Sequence, residues 1–115
     1  MELNPLLEDL AKTKLVRVSG SFADGTQTEE SDIDFKVKED HPELMRGEKT
    51  NIQKIMEVME KHEVKLRSTR PGYIFTHLTS GNGHLPRQME FYDYYDHRPN
   101  RLKEVEIEGV KFKTW

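Results

Sequence analysis

A short stretch of alternating side chains constrains the fold of this chain most strongly. Between residues 32 and 38, apolar side chains (Ile33, Phe35, Val37) alternate with charged ones (Asp32, Asp34, Lys36). Successive side chains of a β-strand point to opposite faces of its sheet, so this pattern predicts a strand with one face in the core and one charged face.

Two further segments have the spacing of amphipathic helices. The first has leucines at positions 3, 6, 7 and 10, and Asn4 and Pro5 are predicted as its cap and first-turn residue. The second begins with Thr50 and Gln53, which have the spacing of a capping box. Apolar residues follow at helical spacing, so this helix is predicted to run to about His62.

Strand-like patterns occupy much of the remaining chain. They cover residues 14–19, 64–68, 73–79, 88–95 and 104–113, and the last changes phase at Gly109 as a tight turn or bulge requires. The three middle segments suit a meander. We therefore predict one α/β (α+β) domain over residues 1–115, with a mixed sheet and helices packed on one face.

Composition narrows the functional classes. Charged residues make up 34% of the chain, and cysteine is absent. Leu, Ile, Val and Phe together reach about 23%, above the roughly 20% below which chains tend not to fold. The sequence excludes disulfides, thiolate metal sites and a cysteine nucleophile, and it contains no apolar run long enough for a membrane span. A cytoplasmic protein is expected, and a net charge of −3 argues against a nucleic-acid partner.

The segment from Gly20 to Asp34 carries the chemical signal. A glycine and a serine (Ser21) at a strand end can present backbone N–H groups and a hydroxyl to a phosphate. Asp32 and Asp34 lie two residues apart, so a strand would point both carboxylates to one face, where they suit Mg²⁺. Taken alone, a Gly-Ser pair such as Gly20-Ser21 more often forms a strand-ending turn, and two aspartates such as Asp32 and Asp34 more often lie on a solvated strand face. Together they favour a metal–phosphate site.

These residues resemble the signature of the nucleotidyltransferase superfamily, which includes DNA polymerase beta and the minimal nucleotidyltransferases. That signature is a Gly-Ser pair, about ten residues, and Asp-x-Asp on a strand. Here ten residues separate Gly20-Ser21 from Asp32-Ile33-Asp34, and apolar residues flank both parts.

The resemblance implies a third carboxylate on a later strand. Residues 88–95 offer Glu90 and Asp93. Alternation favours Glu90, because Met89 and Phe91 would then pack inward while Glu90 stands beside the two aspartates as third metal ligand or general base. Most relatives have aspartate at this position, so the longer glutamate is a departure from the family pattern.

The resemblance implies a metal-dependent, ATP- or other NTP-using transferase. It would move a nucleoside monophosphate to a hydroxyl of a protein or small-molecule acceptor, with Mg²⁺ (Mn²⁺ as the alternative) held by Asp32, Asp34 and Glu90. Gly20 and Ser21 would hold the phosphates, and Arg87 and Arg70 are candidate phosphate contacts. Many relatives continue into a helix that completes the acceptor site. Here either a partner subunit or homodimer is expected to recognise the acceptor, or the protein is a stripped form with a weakened catalytic role.

Two alternatives remain open from the sequence. One is a catalytically weak nucleotide- or partner-binding module of the same fold, antitoxin-like or regulatory. The other is an unrelated acidic domain that binds calcium through the aspartate pair, although this reading leaves Gly20-Ser21 without a role.

Overall fold

The computed structural model describes residues 3–20, 22, 25–28, 31–38, 43, 45–68, 77–81, 85–92 and 104–113. It gives the helices α1 (Asn4–Thr13) and α2 (Asn51–Lys61). The strands are β1 (Val16–Ser19), β2 (Ile33–Val37), β3 (Arg67–Ser68), β4 (His77–Thr79), β5 (Met89–Tyr92), β6 (Glu104–Ile107) and β7 (Val110–Lys113).

The main sheet has five strands in the order β1-β2-β5-β4-β3. Its pairs are antiparallel except β2 and β5, which run parallel at the centre. Strands β6 and β7 form a separate antiparallel hairpin. The mixed sheet and the meander β3-β4-β5 confirm the α+β prediction.

One face of the sheet forms the core. The apolar strand residues Val18, Ile33, Phe35, Met89 and Phe91 are fully buried. Phe35 stacks on Phe91 at 5.2 Å between ring centroids and meets the edge of Phe112 of β7 at 5.3 Å. The buried side of α1 and the α2 residues Ile55 and Met59 join the same cluster. This arrangement places Asp34 and Lys36 of β2 on the opposite face, where Lys36 is buried as well, at 4% exposure.

The predicted N-cap is confirmed at α2 but not at α1. At α2, Thr50 Oγ1 accepts from the Gln53 N–H at 3.2 Å and Gln53 Oε1 accepts from the Thr50 N–H at 2.8 Å, which confirms the capping box. At α1, the cap position is Leu3, without a side-chain cap. The prediction of Asn4 as cap was wrong, because its side-chain amide donates instead to the Glu108 carbonyl at 2.6 Å.

Several strands are shorter than the sequence pattern suggested. The segment 64–68 contributes only Arg67–Ser68 to the sheet, while Val64 and Leu66 are buried just before it. Residues 73–76 and 93–95 of the predicted strands lie outside the described residues. The phase change at Gly109 is a hairpin turn, in which Glu108 has φ 51° and Gly109 φ 80°. In the described part of the chain, no helix has the length and apolar character needed to cross a membrane.

Candidate active site

The central parallel strands place two acidic side chains side by side. Asp34 of β2 is the register partner of Glu90 of β5, and on its other side it pairs with Ser19 of β1. Met89 and Phe91, on either side of Glu90, are fully buried. Glu90 therefore stands on the same face as Asp34, as the alternation of residues 88–95 predicts. Asp93 lies outside the described residues.

Asp32 completes a group of neighbouring negative charges. It is exposed and immediately precedes β2, whose first residue pairs its N–H with the carbonyl of Gln88 at 2.9 Å. Burial raises the pKa of Asp32, and the charge of Glu90 raises it further. The two residues are therefore close enough to repel each other.

Asp34 has the most perturbed carboxyl of the three. Burial raises its pKa to about 7, assisted by a hydrogen-bonding interaction with Glu90 and by the charges of Glu90 and Asp32. Its Oδ1 atom is buried and accepts no hydrogen bond from the described residues. A buried carboxylate oxygen of this kind is a suitable ligand for a cation.

Three side chains lie next to Glu90: Gln88 just before β5, Tyr92 of β5 and His77 of β4. Gln88 Nε2 and the Tyr92 hydroxyl donate to its carboxylate at 3.4 and 3.3 Å, and His77 Nε2 lies 3.3 Å from Oε1. The His77 ring stacks on Tyr92 with 4.3 Å between centroids. Sequence reasoning missed His77, because its place beside Glu90 depends on the β4–β5 register, which no local motif encodes.

Gly20 packs directly against the Asp34 carboxylate. It follows β1 with φ +66°, a backbone conformation that favours glycine. A Cβ at this position would overlap Asp34 Oδ2 and would lie 3.1 Å from Cγ. The turn predicted to hold phosphate is thus in contact with the predicted metal ligand.

Of the side chains predicted to contact phosphate, Arg87 lies among the described residues. Arg87 Nη1 donates to the carbonyls of Thr28 at 2.9 Å and Ser31 at 3.1 Å, and its guanidinium lies 5.3 Å from the centroid of the Phe22 ring. Ser21 and Arg70 lie outside the described residues. The phosphate contacts assigned to these three side chains stay predictions.

The donor set fits a divalent cation by its chemistry. Mutual repulsion between carboxylates and an unsatisfied Asp34 oxygen are both relieved by a bound cation. Within the described ranges, however, no three His, Cys, Asp or Glu side chains already form a ready metal-binding group. Asp34 and Glu90 form the central pair, and Asp32 would have to approach them for all three to bind one ion.

One comparison with known proteins identifies the family of this chain. The family model described as nucleotidyltransferase domain matches residues 1–111, and the chain belongs to that family. Searches of curated proteins and of solved structures gave no significant match. The family membership confirms the resemblance seen in the Gly20 to Asp34 segment.

Proposed function

We propose that this protein transfers a nucleoside monophosphate from an NTP to a hydroxyl group of a protein or small-molecule acceptor, with Mg²⁺ as the metal and Mn²⁺ as its alternative. The observation that carries the proposal is the Asp34–Glu90 pair on adjacent parallel strands, with Gly20 packed against Asp34. This pair unites the predicted phosphate turn and the predicted metal ligands in one site.

The residues of the site divide phosphate binding, metal binding and proton transfer among them. The backbone at Gly20 and the Ser21 hydroxyl would bind the β- and γ-phosphates. Asp34, Glu90 and Asp32 would hold divalent ions, which when bound supply neutralisation of phosphate charge. The acceptor hydroxyl oxygen forms a bond to the α-phosphorus, and the bond from that phosphorus to the bridging oxygen breaks, so pyrophosphate leaves. Glu90 takes the hydroxyl proton on its carboxylate.

The net charge of the chain favours a protein or small-molecule acceptor over a nucleic acid. A nucleic-acid acceptor requires a basic surface, whereas this chain has 18 basic and 21 acidic residues. A protein or small-molecule hydroxyl makes no such demand.

The test is transfer of label from NTPs carrying a radioactive α-phosphate, with and without Mg²⁺, to protein and small-molecule acceptors. We expect label transfer and pyrophosphate release by the wild type, and loss of both in Asp34→Ala. Glu106→Gln is the control, because Glu106 is an exposed carboxylate on β6. Nucleotide binding without transfer to any acceptor would favour the binding-module alternative.

Glu90 has a more specific expected effect. A general base acts mainly in the transition state, so Glu90→Gln should retain most nucleotide affinity and lose about 10²–10⁴-fold in turnover. Binding is measured by calorimetry and turnover by pyrophosphate release. Equal losses in affinity and turnover would instead make Glu90 chiefly a binding residue.

A further inference from the structure

Arg87 contacts both ends of the segment that joins the phosphate turn to the aspartates. We infer that Arg87 is a positioning residue, which holds Phe22, Thr28 and Ser31 against the start of β5 so that Gly20, Asp34 and Glu90 keep their relative places. The inference rests on the proposed function for its catalytic consequence. Its structural part concerns the nucleotide-free protein and stands separately.

The first contact fixes the end of the segment next to Asp32. One nitrogen of Arg87, Nη1, donates to the carbonyls of Thr28 and Ser31 at 2.9 and 3.1 Å. The same turn is closed internally, since the Thr28 N–H donates to Ser31 Oγ at 2.7 Å and the Ser31 N–H donates to the Thr28 carbonyl at 3.2 Å. Ser31 precedes Asp32 directly, so Arg87 restrains the backbone that leads into the carboxylates.

The second contact fixes the end of the segment next to Gly20. Phe22, only two residues beyond Gly20, is buried at 7% exposure. Its ring has the Arg87 guanidinium carbon 5.3 Å from the centroid, which is within the range of a cation–π interaction. A single side chain therefore contacts the chain just after the phosphate turn and just before the aspartates.

The position of Arg87 is itself set by the sheet. It precedes Gln88, whose carbonyl accepts from the Ile33 N–H at 2.9 Å at the start of the parallel β2–β5 pairing. Glu90 follows three residues after Arg87 on β5. Arg87 thereby links Phe22, Thr28 and Ser31 to the start of β5 through contacts that need no bound ligand.

Lysine distinguishes positioning from direct phosphate binding. A lysine retains the positive charge, and it binds phosphate as a point charge. It lacks the planar guanidinium that packs over an aromatic ring while donating to two carbonyls. Arg87→Lys should therefore behave like Arg87→Met if Arg87 positions the segment, and much closer to the wild type if Arg87 only supplies charge to phosphate.

The first measurement is NMR hydrogen exchange at the Thr28 and Ser31 amides of the nucleotide-free protein. We expect roughly tenfold faster exchange in both Arg87→Met and Arg87→Lys, as for loss of hydrogen bonds to a charged donor. Arg46→Met is the matched control, since Arg46 is exposed in the loop before α2. Phe22→Leu should also speed exchange and should add little in the Arg87→Met background. Unchanged exchange in both Arg87 variants would overturn the inference.

The second measurement is steady-state kinetics of the Arg87 variants, which shows whether kcat or the KM for the NTP changes. A positioning role predicts that kcat falls in both Arg87 variants, with no rescue by lysine. A rise in KM alone that lysine rescues would assign Arg87 to phosphate binding and overturn the inference. Faster amide exchange in the variants of a protein whose wild type transfers no nucleotide would uphold the structural role of Arg87 while the proposed function fails.

Discussion

At the level of single residues, Gly20 links backbone conformation to the chemistry of the site. Its positive φ and its contact with Asp34 impose two separate requirements, and either one alone favours glycine. From the place of Gly20 before Ser21, the sequence predicts that this glycine lets the backbone approach a phosphate closely. The structure adds a reason that does not involve a ligand.

Gly25 allows these two requirements to be separated. It also has a positive φ, +77°, but a Cβ there would meet nothing within 4 Å. Gly25→Ala should cost about 1–2 kcal/mol, the typical penalty for a left-handed non-glycine residue. Gly20→Ala should cost more, because its Cβ must also displace the Asp34 carboxylate. Urea denaturation measures both, and equal losses would show that the Asp34 contact is unimportant.

The raised pKa of Asp34 predicts an unusual dependence of stability on pH. In metal-free protein, Asp34 stays protonated up to about 7 when folded, whereas its ordinary pKa is 3.8. Between these values the folded state binds more protons than the unfolded state, so stability falls as pH rises and the loss is complete above about 7. The raised pKa of Asp32 acts in the same direction.

Melting temperatures between pH 4.5 and 8 with a chelator present test this expectation. Asp34→Asn should remove most of the slope, and Glu106→Gln should preserve it. Asp9 acts in the opposite sense, because its hydrogen bond with His62 lowers its pKa below 3.8, but that contribution is lost only at pH values below this window. A wild-type slope retained in Asp34→Asn would contradict the assignment.

At the level of secondary-structure elements, local signals predicted α2 better than α1. Thr50 and Gln53 satisfy each other's backbone N–H groups within four residues, so the motif is complete in the sequence. Asn4 has the residue type of a cap, but its amide is used by Glu108, 104 positions away. A contact over that distance leaves no local pattern, which is why the cap assignment was wrong.

The α2 cap gives a direct stability test. Thr50→Ala should cost about 1 kcal/mol, because it removes the acceptor for the Gln53 N–H at the helix start. Thr50→Ser is the control, since it keeps the hydroxyl. Chemical denaturation monitored by circular dichroism measures both, and a neutral Thr50→Ala would show that solvent satisfies this N–H equally well.

At the level of the whole molecule, the alternation in residues 32–38 predicted the core side chains Ile33, Phe35 and Val37. It predicted neither the burial of Lys36, which is 4% exposed, nor which strands are neighbours. The pairing of β2 with β5 joins segments more than 50 residues apart, and it brings Asp34 beside Glu90. The family resemblance implied that proximity, and the alternation around Glu90 chose the face. Positions such as His77 and Arg87 depend on long-range register and loop packing, so their contacts were beyond the reach of local patterns.

Ligand binding should be visible in the stability of the whole domain. With Mg²⁺ and a non-hydrolysable NTP at a hundredfold excess over Kd, the wild type should gain about 2.7 kcal/mol. Thermal melts should show an upward shift that disappears with a chelator and in Asp34→Ala. A shift of equal size in Asp34→Ala would place nucleotide binding away from the carboxylates.

The packing of α1 against β7 has a consequence for synthesis on the ribosome. Helix α1 precedes every strand of the domain along the chain, but the hairpin that contacts it comprises residues 104–113. The leucine side of α1 therefore cannot pack against the β6–β7 hairpin until translation of the domain is nearly complete. Fragments arrested before β7 should expose that apolar surface to chaperones, and fragments that extend past β7 should not.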